Sequence, residues 1–277
     1  MRLKVPIVET RDHSANLLRA RYNLDDVPEV AMQSTRCVAM IALVILVSFV
    51  LPAQEAPRRA LVVGNGEYEH FGELRNPQND AIDVAASLRE LGFEVTTVLN
   101  ADHRTLFGRI RDFGDELARE PGVGLFYYAG HAIEVDGTNY LIPTDADIRA
   151  QDEVEFASVP LNLVLSKMES AANPTNVIVL DACRDNPLPA TARSAGAGRG
   201  LTVVQAPPGS LIVYATEPGS TADDGQGRNS PFTTAFLSHV ATPGLDIELM
   251  FRNVRREVIE STSGRQIPWT NSSLTNS

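Results

Sequence analysis

The stretches VGLFYYAGH, residues 123–131, and NVIVLDAC, residues 176–183, decide how this chain folds. Each is an apolar run that leads into a reactive side chain, His131 in the first and Cys183 in the second. Apolar runs of this length are typical of strands that are covered on both faces of a parallel sheet. The carboxyl ends of parallel strands share one edge of the sheet, so we expect the imidazole and the thiol to meet in one cleft.

The rest of the chain repeats the alternation of apolar strands and amphipathic helices. Further strands are predicted at residues 58–64, 93–99 and 210–216. Apolar spacing predicts helices near residues 79–92, 106–117 and 161–170, and two more that begin at Ser230-Pro231 and at Asp246. Asp136-Gly137 predicts a hairpin turn, and the Pro- and Gly-rich residues 184–209 predict a mobile loop. We therefore predict an α/β fold, a three-layer αβα sandwich around a mostly parallel sheet.

Composition and charge exclude several classes of protein. The 277 residues are 43% hydrophobic and 21% charged, which is an ordinary globular composition and not that of a disordered, collagen-like or coiled-coil chain. The formal net charge is -11, so a basic surface for duplex nucleic acid is not expected.

Residues 32–53 are predicted to be a signal peptide, which leaves residues 54–277 as the folded domain. The apolar run Cys37–Leu51 has 15 residues, fewer than the roughly 18 to 20 that span a bilayer, and Leu-Pro-Ala follows as a cleavage signal. The domain would then be exported, to the periplasm or the medium. The alternative is an uncleaved membrane anchor with the domain outside the cytoplasm.

Residues 1–31 do not fit a signal peptide, because they carry mixed charges ahead of the apolar run. We interpret them as an upstream extension, with Met32 as the natural start of translation. Cys37 falls in the export segment in either case. Cys183 is then the only thiol of the domain, so no disulfide can form within it.

Four motifs occur in an order that resembles a known family. They are Asn79-Asp80-Ala81, Tyr128-Ala129-Gly130-His131, Asp181-Ala182-Cys183 and Tyr214-Ala215-Thr216-Glu217-Pro218-Gly219. Together they resemble the caspase-like, or metacaspase, family of cysteine endopeptidases, over about residues 59–269. His131 precedes Cys183 by 52 residues, close to the caspase separation of about 50.

The resemblance implies a thiol peptidase that acts on proteins or peptides. Cys183 would be the nucleophile, His131 the general base and then acid, and the backbone N–H groups of Cys183 and Ala132 the oxyanion hole. No cofactor is needed for this chemistry. Several metacaspases are activated by Ca²⁺, so the resemblance leaves Ca²⁺ activation as an open possibility for this chain. The chain has no EF-hand-type loop.

Ala132 departs from the family, whose members usually have Gly after the catalytic His. A methyl group at this place is expected to crowd the substrate. It favours the alternative function, a catalytically weak or inactive caspase-like interaction module. A third interpretation, a structural exported domain without a ligand, would require the four motifs to be accidental.

By resemblance to metacaspases, Asp80 and Asp181 are expected to line the primary substrate pocket. Asp224 lies near the place where Asp-specific caspases have an Arg. The charge of the pocket would then be negative where theirs is positive, and cleavage after Arg or Lys is predicted. The alternative is that these aspartates are helix caps or loop residues. Arg193 and Arg199, in the predicted mobile loop, are candidate sites of self-cleavage.

Three other features of the sequence give weaker indications of function. Gly64-Asn65-Gly66 follows a strand but lacks the third glycine of a dinucleotide fingerprint, so nucleotide binding is disfavoured. The histidines outside the motif have no metal-ligand spacing, and no metal site is predicted. Trp269 is expected to pack in the core or at its edge, with a role in the substrate pocket as the alternative.

Overall fold

The computed structural model describes residues 56–183 and 200–275, and for Cys183 it describes the backbone alone. Within these ranges the strands are β1 (Arg58–Gly64), β2 (Glu94–Leu99), β3 (Val123–Val135), β4 (Thr138–Leu141), β5 (Val159–Pro160), β6 (Thr175–Cys183), β7 (Ser210–Tyr214) and β8 (Trp269–Ser272). The helices are α1 (Pro77–Glu90), α2 (His103–Arg119), α3 (Val154–Ala157), α4 (Leu161–Ser170), α5 (Pro231–Val240) and α6 (Ile247–Ser261).

The central sheet has the strand order β2-β1-β3-β6-β7-β8. Strands β2, β1, β3, β6 and β7 are parallel to one another, and β8 pairs antiparallel with β7 at one edge. The last residues of β3 leave this sheet and pair antiparallel with β4, which in turn pairs with β5. The sheet is therefore mostly parallel, as predicted.

Apolar side chains of the strands alternate between two cores, one on each face of the sheet. One core packs strand residues such as Phe126 and Ile178 against α2 and α4. The other packs neighbouring residues such as Leu125 and Val177 against α1, α5 and α6. The predicted three-layer αβα sandwich is confirmed.

Helix ends follow the local signals in the sequence. Ser230 accepts the N–H of Thr233 at the start of α5, with Pro231 in the first turn, and Asp246 accepts two N–H groups at the start of α6. Asp136 and Gly137 have φ of 50° and 80°, as a two-residue hairpin turn with right-handed twist requires. The predicted hairpin between β3 and β4 is confirmed.

One strand is longer than its apolar run indicates. The run that predicts β3 ends at Tyr128, but β3 continues through His131 to Val135 because its backbone exchanges β6 for β4 as a partner. Of the two packing positions expected for Trp269, the core is wrong: Trp269 begins the edge strand β8 and is 43% exposed. It lies at the edge because nothing beyond β8 in the described part of the chain pairs with that strand.

Gly64, the last residue of β1, and Gly66, just after it, allow close packing of the backbone. A Cβ atom at Gly64 would overlap the carbonyl oxygen of Pro77, and one at Gly66 would lie 2.7 Å from the carbonyl oxygen of Leu74. The Gly-Asn-Gly segment therefore admits the first turn of α1 and the loop before it.

The apolar run at residues 37–51 and the loop residues 184–199, with Arg193 and Arg199, lie outside the described ranges. No helix in the described part of the chain is both long enough and apolar enough to cross a bilayer.

Candidate active site

His131 and Cys183 are Cα partners in the parallel pairing of β3 with β6. Neighbouring strands of a sheet lie about 4.8 Å apart. The sheet register therefore puts the two backbone positions side by side at the carboxyl ends of the central strands, where the sequence predicted a shared cleft.

The imidazole of His131 is oriented by a backbone carbonyl. Its Nε2 lies 2.8 Å from the carbonyl oxygen of Gly72, and the side chain is nearly buried. A carbonyl oxygen only accepts, so in the neutral ring the proton is assigned to Nε2. Nδ1 then carries the lone pair and is the nitrogen that can take a proton.

Ala132 corrects one expectation. Its side chain is 2% exposed and belongs to the core on the α2 face, with Leu141 and Leu180. The methyl group therefore packs in the core and does not crowd the cavity beside His131. It points inward because β3 is still a regular strand at this residue.

The backbone N–H of Ala132 is directed away from β4. The carbonyl oxygen of His131 accepts the N–H of Ile142, so the two residues lie opposite each other at a hydrogen-bonding position of the antiparallel ladder, although the N–H of His131 itself donates to the Tyr68 hydroxyl. The next residue, Ala132, then occupies a position whose N–H points away from the partner strand. This N–H therefore faces the side of β6.

Two of the three predicted pocket carboxylates, Asp80 and Asp181, are brought together at the start of α5. Ser230 joins them, because its N–H donates to Asp80 (3.0 Å) and its hydroxyl donates to Asp181. Thr233 Oγ1 also donates to Asp181 (2.7 Å), and the Tyr127 hydroxyl lies next to Thr233 Oγ1. Asp80 and Asp181 are both buried.

Burial raises the pKa of both carboxyl groups. For Asp80 the loss of solvation is the largest cause, the charge of Asp181 adds to it, and the pKa reaches about 8. Burial also raises the pKa of Asp181, while the hydroxyls of Ser230 and Thr233 oppose the rise. Asp224 raises the pKa of both, so all three carboxylates lie within electrostatic reach of one another.

A cavity of about 400 Å³ opens beside His131. Its described lining consists of Leu74, His131, Thr221, Ala222, Asp223, Asp224, Thr262, Arg265 and Gln266. Asp224 is thus the predicted pocket residue on the cavity surface, whereas Asp80 and Asp181 are not among the described lining residues.

Gln266 is a residue of this cavity that the sequence did not single out. It is 1% exposed, its Nε2 donates to the carbonyl oxygen of Ala215, and its Oε1 accepts the N–H of Asp223. It fixes the wall of the cavity between the end of β7 and Asp223. A lone Gln in a loop has no sequence signature for such a role, and the same is true of the Gly72 carbonyl.

The described residues contain no group of three or more His, Cys, Asp or Glu side chains arranged to hold a metal ion.

Comparison with known proteins agrees with this architecture. Residues 57–277 match the family model described as the caspase domain. Over 126 residues, 45% of this chain, it is 31% identical to the human (Homo sapiens) mucosa-associated lymphoid tissue lymphoma translocation protein 1, and it covers 15% of that protein. The Mus musculus homolog is also 31% identical over 126 residues, 14% of its length. The chain thus spans a small part of these relatives, but the family model covers its whole described domain. The chain therefore belongs to the caspase-domain family, a family of cysteine peptidases.

Proposed function

We propose that this protein is a cysteine endopeptidase in which Cys183 and His131 form the catalytic dyad and which cleaves after Arg or Lys. The observation that carries the proposal is the strand register, which sets His131 directly beside Cys183 at the carboxyl edge of the sheet. Protein or peptide chains are the substrates of this reaction class.

His131 Nδ1 removes the thiol proton, and the Cys183 sulfur forms a bond to the scissile carbonyl carbon. The N–H groups of Ala132 and Cys183 hold the oxyanion that develops. The C–N bond then breaks, and the imidazolium returns its proton to the leaving amine. Water, activated by the same imidazole, hydrolyses the thioester and restores the thiol.

The preference for a basic residue rests on the carboxylate group of Asp80, Asp181 and Asp224. Burial makes the charged forms of Asp80 and Asp181 unfavourable, as their raised pKa values indicate. A guanidinium or ammonium group of the substrate would stabilise these charged forms, and a guanidinium can bind a carboxylate through two parallel hydrogen bonds. Asp224, on the cavity surface, is the carboxylate that such a side chain meets first.

The test uses the domain from residue 54, four fluorogenic peptides that differ only in Arg, Lys, Asp or Leu before the scissile bond, and an acyloxymethylketone with Arg in that place. We expect hydrolysis of the Arg and Lys peptides and labelling of Cys183. Cys183→Ala should abolish both, and His131→Ala should lower kcat/KM at least about 100-fold.

The same experiment separates the alternative of an inactive interaction module. A folded protein whose Cys183 is not labelled and which hydrolyses none of the peptides would support that alternative. Hydrolysis of the Asp peptide in preference to the Arg peptide would keep the dyad but overturn the assignment of the pocket.

A further inference from the structure

Tyr68 contacts His131 through two parts of its side chain. Its hydroxyl oxygen accepts the backbone N–H of His131 (2.7 Å), and its ring lies against the imidazole with 4.5 Å between the ring centroids. Tyr68 is 6% exposed. We propose that Tyr68 is a positioning residue for His131, whose hydroxyl fixes the backbone and whose ring supports the protonated imidazole. The proposal rests on the Cys183–His131 dyad and adds a residue that the four family motifs do not contain.

The segment that carries Tyr68 is itself anchored on both sides. Asn65 accepts the N–H of Ala101 with its side-chain oxygen (2.9 Å) and donates to the carbonyl oxygen of Ile142 (3.2 Å). On the other side of Tyr68, the N–H of Glu69 donates to the carbonyl oxygen of Thr144 (2.9 Å). Tyr68 is therefore presented to His131 from a fixed backbone, as a positioning residue must be.

Gly130 is shaped to admit the Tyr68 hydroxyl. A Cβ atom at Gly130 would lie 2.6 Å from the Tyr68 hydroxyl oxygen, and the φ angle of Gly130 is +153°, which other residues rarely adopt. Gly130 thus leaves the space that the Tyr68 hydroxyl occupies. This gives the Gly-Asn-Gly segment a second role besides admitting α1, since it leads directly into Tyr68.

Tyr68 and Gly72, both in the segment between β1 and α1, contact different parts of His131. Tyr68 holds the backbone N–H, while the Gly72 carbonyl holds Nε2, which leaves Nδ1 as the reactive nitrogen. When Nδ1 takes the thiol proton, the ring becomes a cation within about 6 Å of an aromatic ring, a distance at which the aromatic ring stabilises positive charge. Tyr68 therefore favours the thiolate–imidazolium form of the dyad.

The test compares Tyr68→Phe, which keeps the ring and removes the hydroxyl, with Tyr140→Phe. Tyr140 packs against the same small apolar cluster as Tyr68, and it lies on β4, where its Cα partner is Ile133. We expect Tyr68→Phe to lower kcat for an Arg peptide about tenfold, with KM changed less than about twofold. Alkylation of Cys183 by iodoacetamide at pH 6 to 7 should slow by a similar factor, because the His131 backbone loses the acceptor that holds the imidazole in position to take the thiol proton. Tyr140→Phe should change neither rate.

Gly130→Ala provides a second, independent variant. It displaces the same hydroxyl from the opposite side, so its effect on alkylation should be smaller in the Tyr68→Phe background than in the wild type. Equal effects in the two backgrounds would contradict a contact through the hydroxyl.

Failure of this inference is distinguishable from failure of the dyad. A wild-type protein with an ordinary thiol that alkylates only near pH 8 to 9 and with no hydrolysis would overturn the dyad, and the role of Tyr68 with it. An active wild type whose kcat and alkylation profile are unchanged by Tyr68→Phe would overturn the role of Tyr68 alone.

Discussion

Asn76 donates two hydrogen bonds to Asp224. The backbone N–H of Asn76 donates to the Asp224 carboxylate (3.3 Å), and the Asn76 side chain donates to the Asp224 carbonyl oxygen. The same carboxylate accepts the N–H of Arg75 (2.9 Å). Asp224 is thus both a residue of the cavity and the acceptor for the N–H groups of the two residues that precede α1.

Asp224→Ala should therefore affect stability as well as activity. Loss of a carboxylate that accepts two backbone N–H groups should lower the free energy of unfolding by about 1 kcal/mol. Urea unfolding measures this, with Asp112→Ala on the exposed face of α2 as the control. An unchanged stability would show that water replaces the carboxylate at Arg75 and Asn76.

Asp181→Asn should impair cleavage after Arg more than cleavage after any uncharged residue. Loss of one charged hydrogen-bond partner costs about 1.5 to 3 kcal/mol, or about 10- to 150-fold in kcat/KM for the Arg peptide. The ratio of kcat/KM for Arg and Leu peptides is the measurement, and Asp112→Asn is the control. A fall that is equal for both peptides would indicate a structural role for Asp181 and not a role in selection.

Asp80→Asn should stabilise the protein increasingly as pH rises. The carboxyl pKa of Asp80 is raised by burial from its ordinary value of 3.8 to about 8. Between these values the unfolded chain releases the proton and the folded chain keeps it, so the favourable contribution of the protonated group is present below about pH 4 and is lost as pH rises to about 8.

An Asn at this place imitates the protonated carboxyl at every pH. The gain in the free energy of unfolding should be at least about 1 kcal/mol larger at pH 8 than at pH 5. Urea unfolding at the two pH values decides it. A variant that is less stable than the wild type at pH 8 would mean that a cation accompanies Asp80 in the free protein.

We propose that the domain is exported, with a mature N-terminus near Gln54. The apolar run at residues 37–51, followed by Leu-Pro-Ala, motivates this proposal. The test is expression from Met32 in a bacterial host, followed by N-terminal sequencing of the periplasmic or secreted product. The sequence of this product should begin at or near Gln54. A product that still contains Cys37 and sediments with membranes would support the anchor instead.

The elements of the fold could be predicted because apolar residues repeat with the period of the element. Leu106, Ile110 and Phe113 line one face of α2, as their spacing indicated, and are buried against the sheet. The position of His131 and Cys183 at one edge of the sheet followed from the rule that parallel strands end at one edge, although their direct pairing did not. Both inferences depend only on local pattern and general topology.

Contacts made by the backbone could not be predicted in this way. The Gly72 carbonyl orients His131 because a loop folds over the imidazole, and no side-chain type marks such an acceptor in the sequence. The direction of the Ala132 methyl group depends on how far β3 continues beyond His131, which is a matter of pairing with β4. The acceptor for His131 and the direction of the Ala132 methyl group thus depend on contacts between segments that are distant in the sequence, which local patterns do not indicate.

The change of partners along β3 has a consequence for how activity is lost. Residues 123–129 pair with β1 on one side and β6 on the other, and Gly130 and His131 still pair with β6, whereas residues 132–135 pair with the short strand β4. Amide hydrogens of the first part should exchange with solvent only on global unfolding, and those of the second part through local opening of the hairpin. His131 stands at the boundary of these two regimes. Mild denaturant should therefore abolish catalysis while the circular dichroism of the sheet and helices is still that of the native protein.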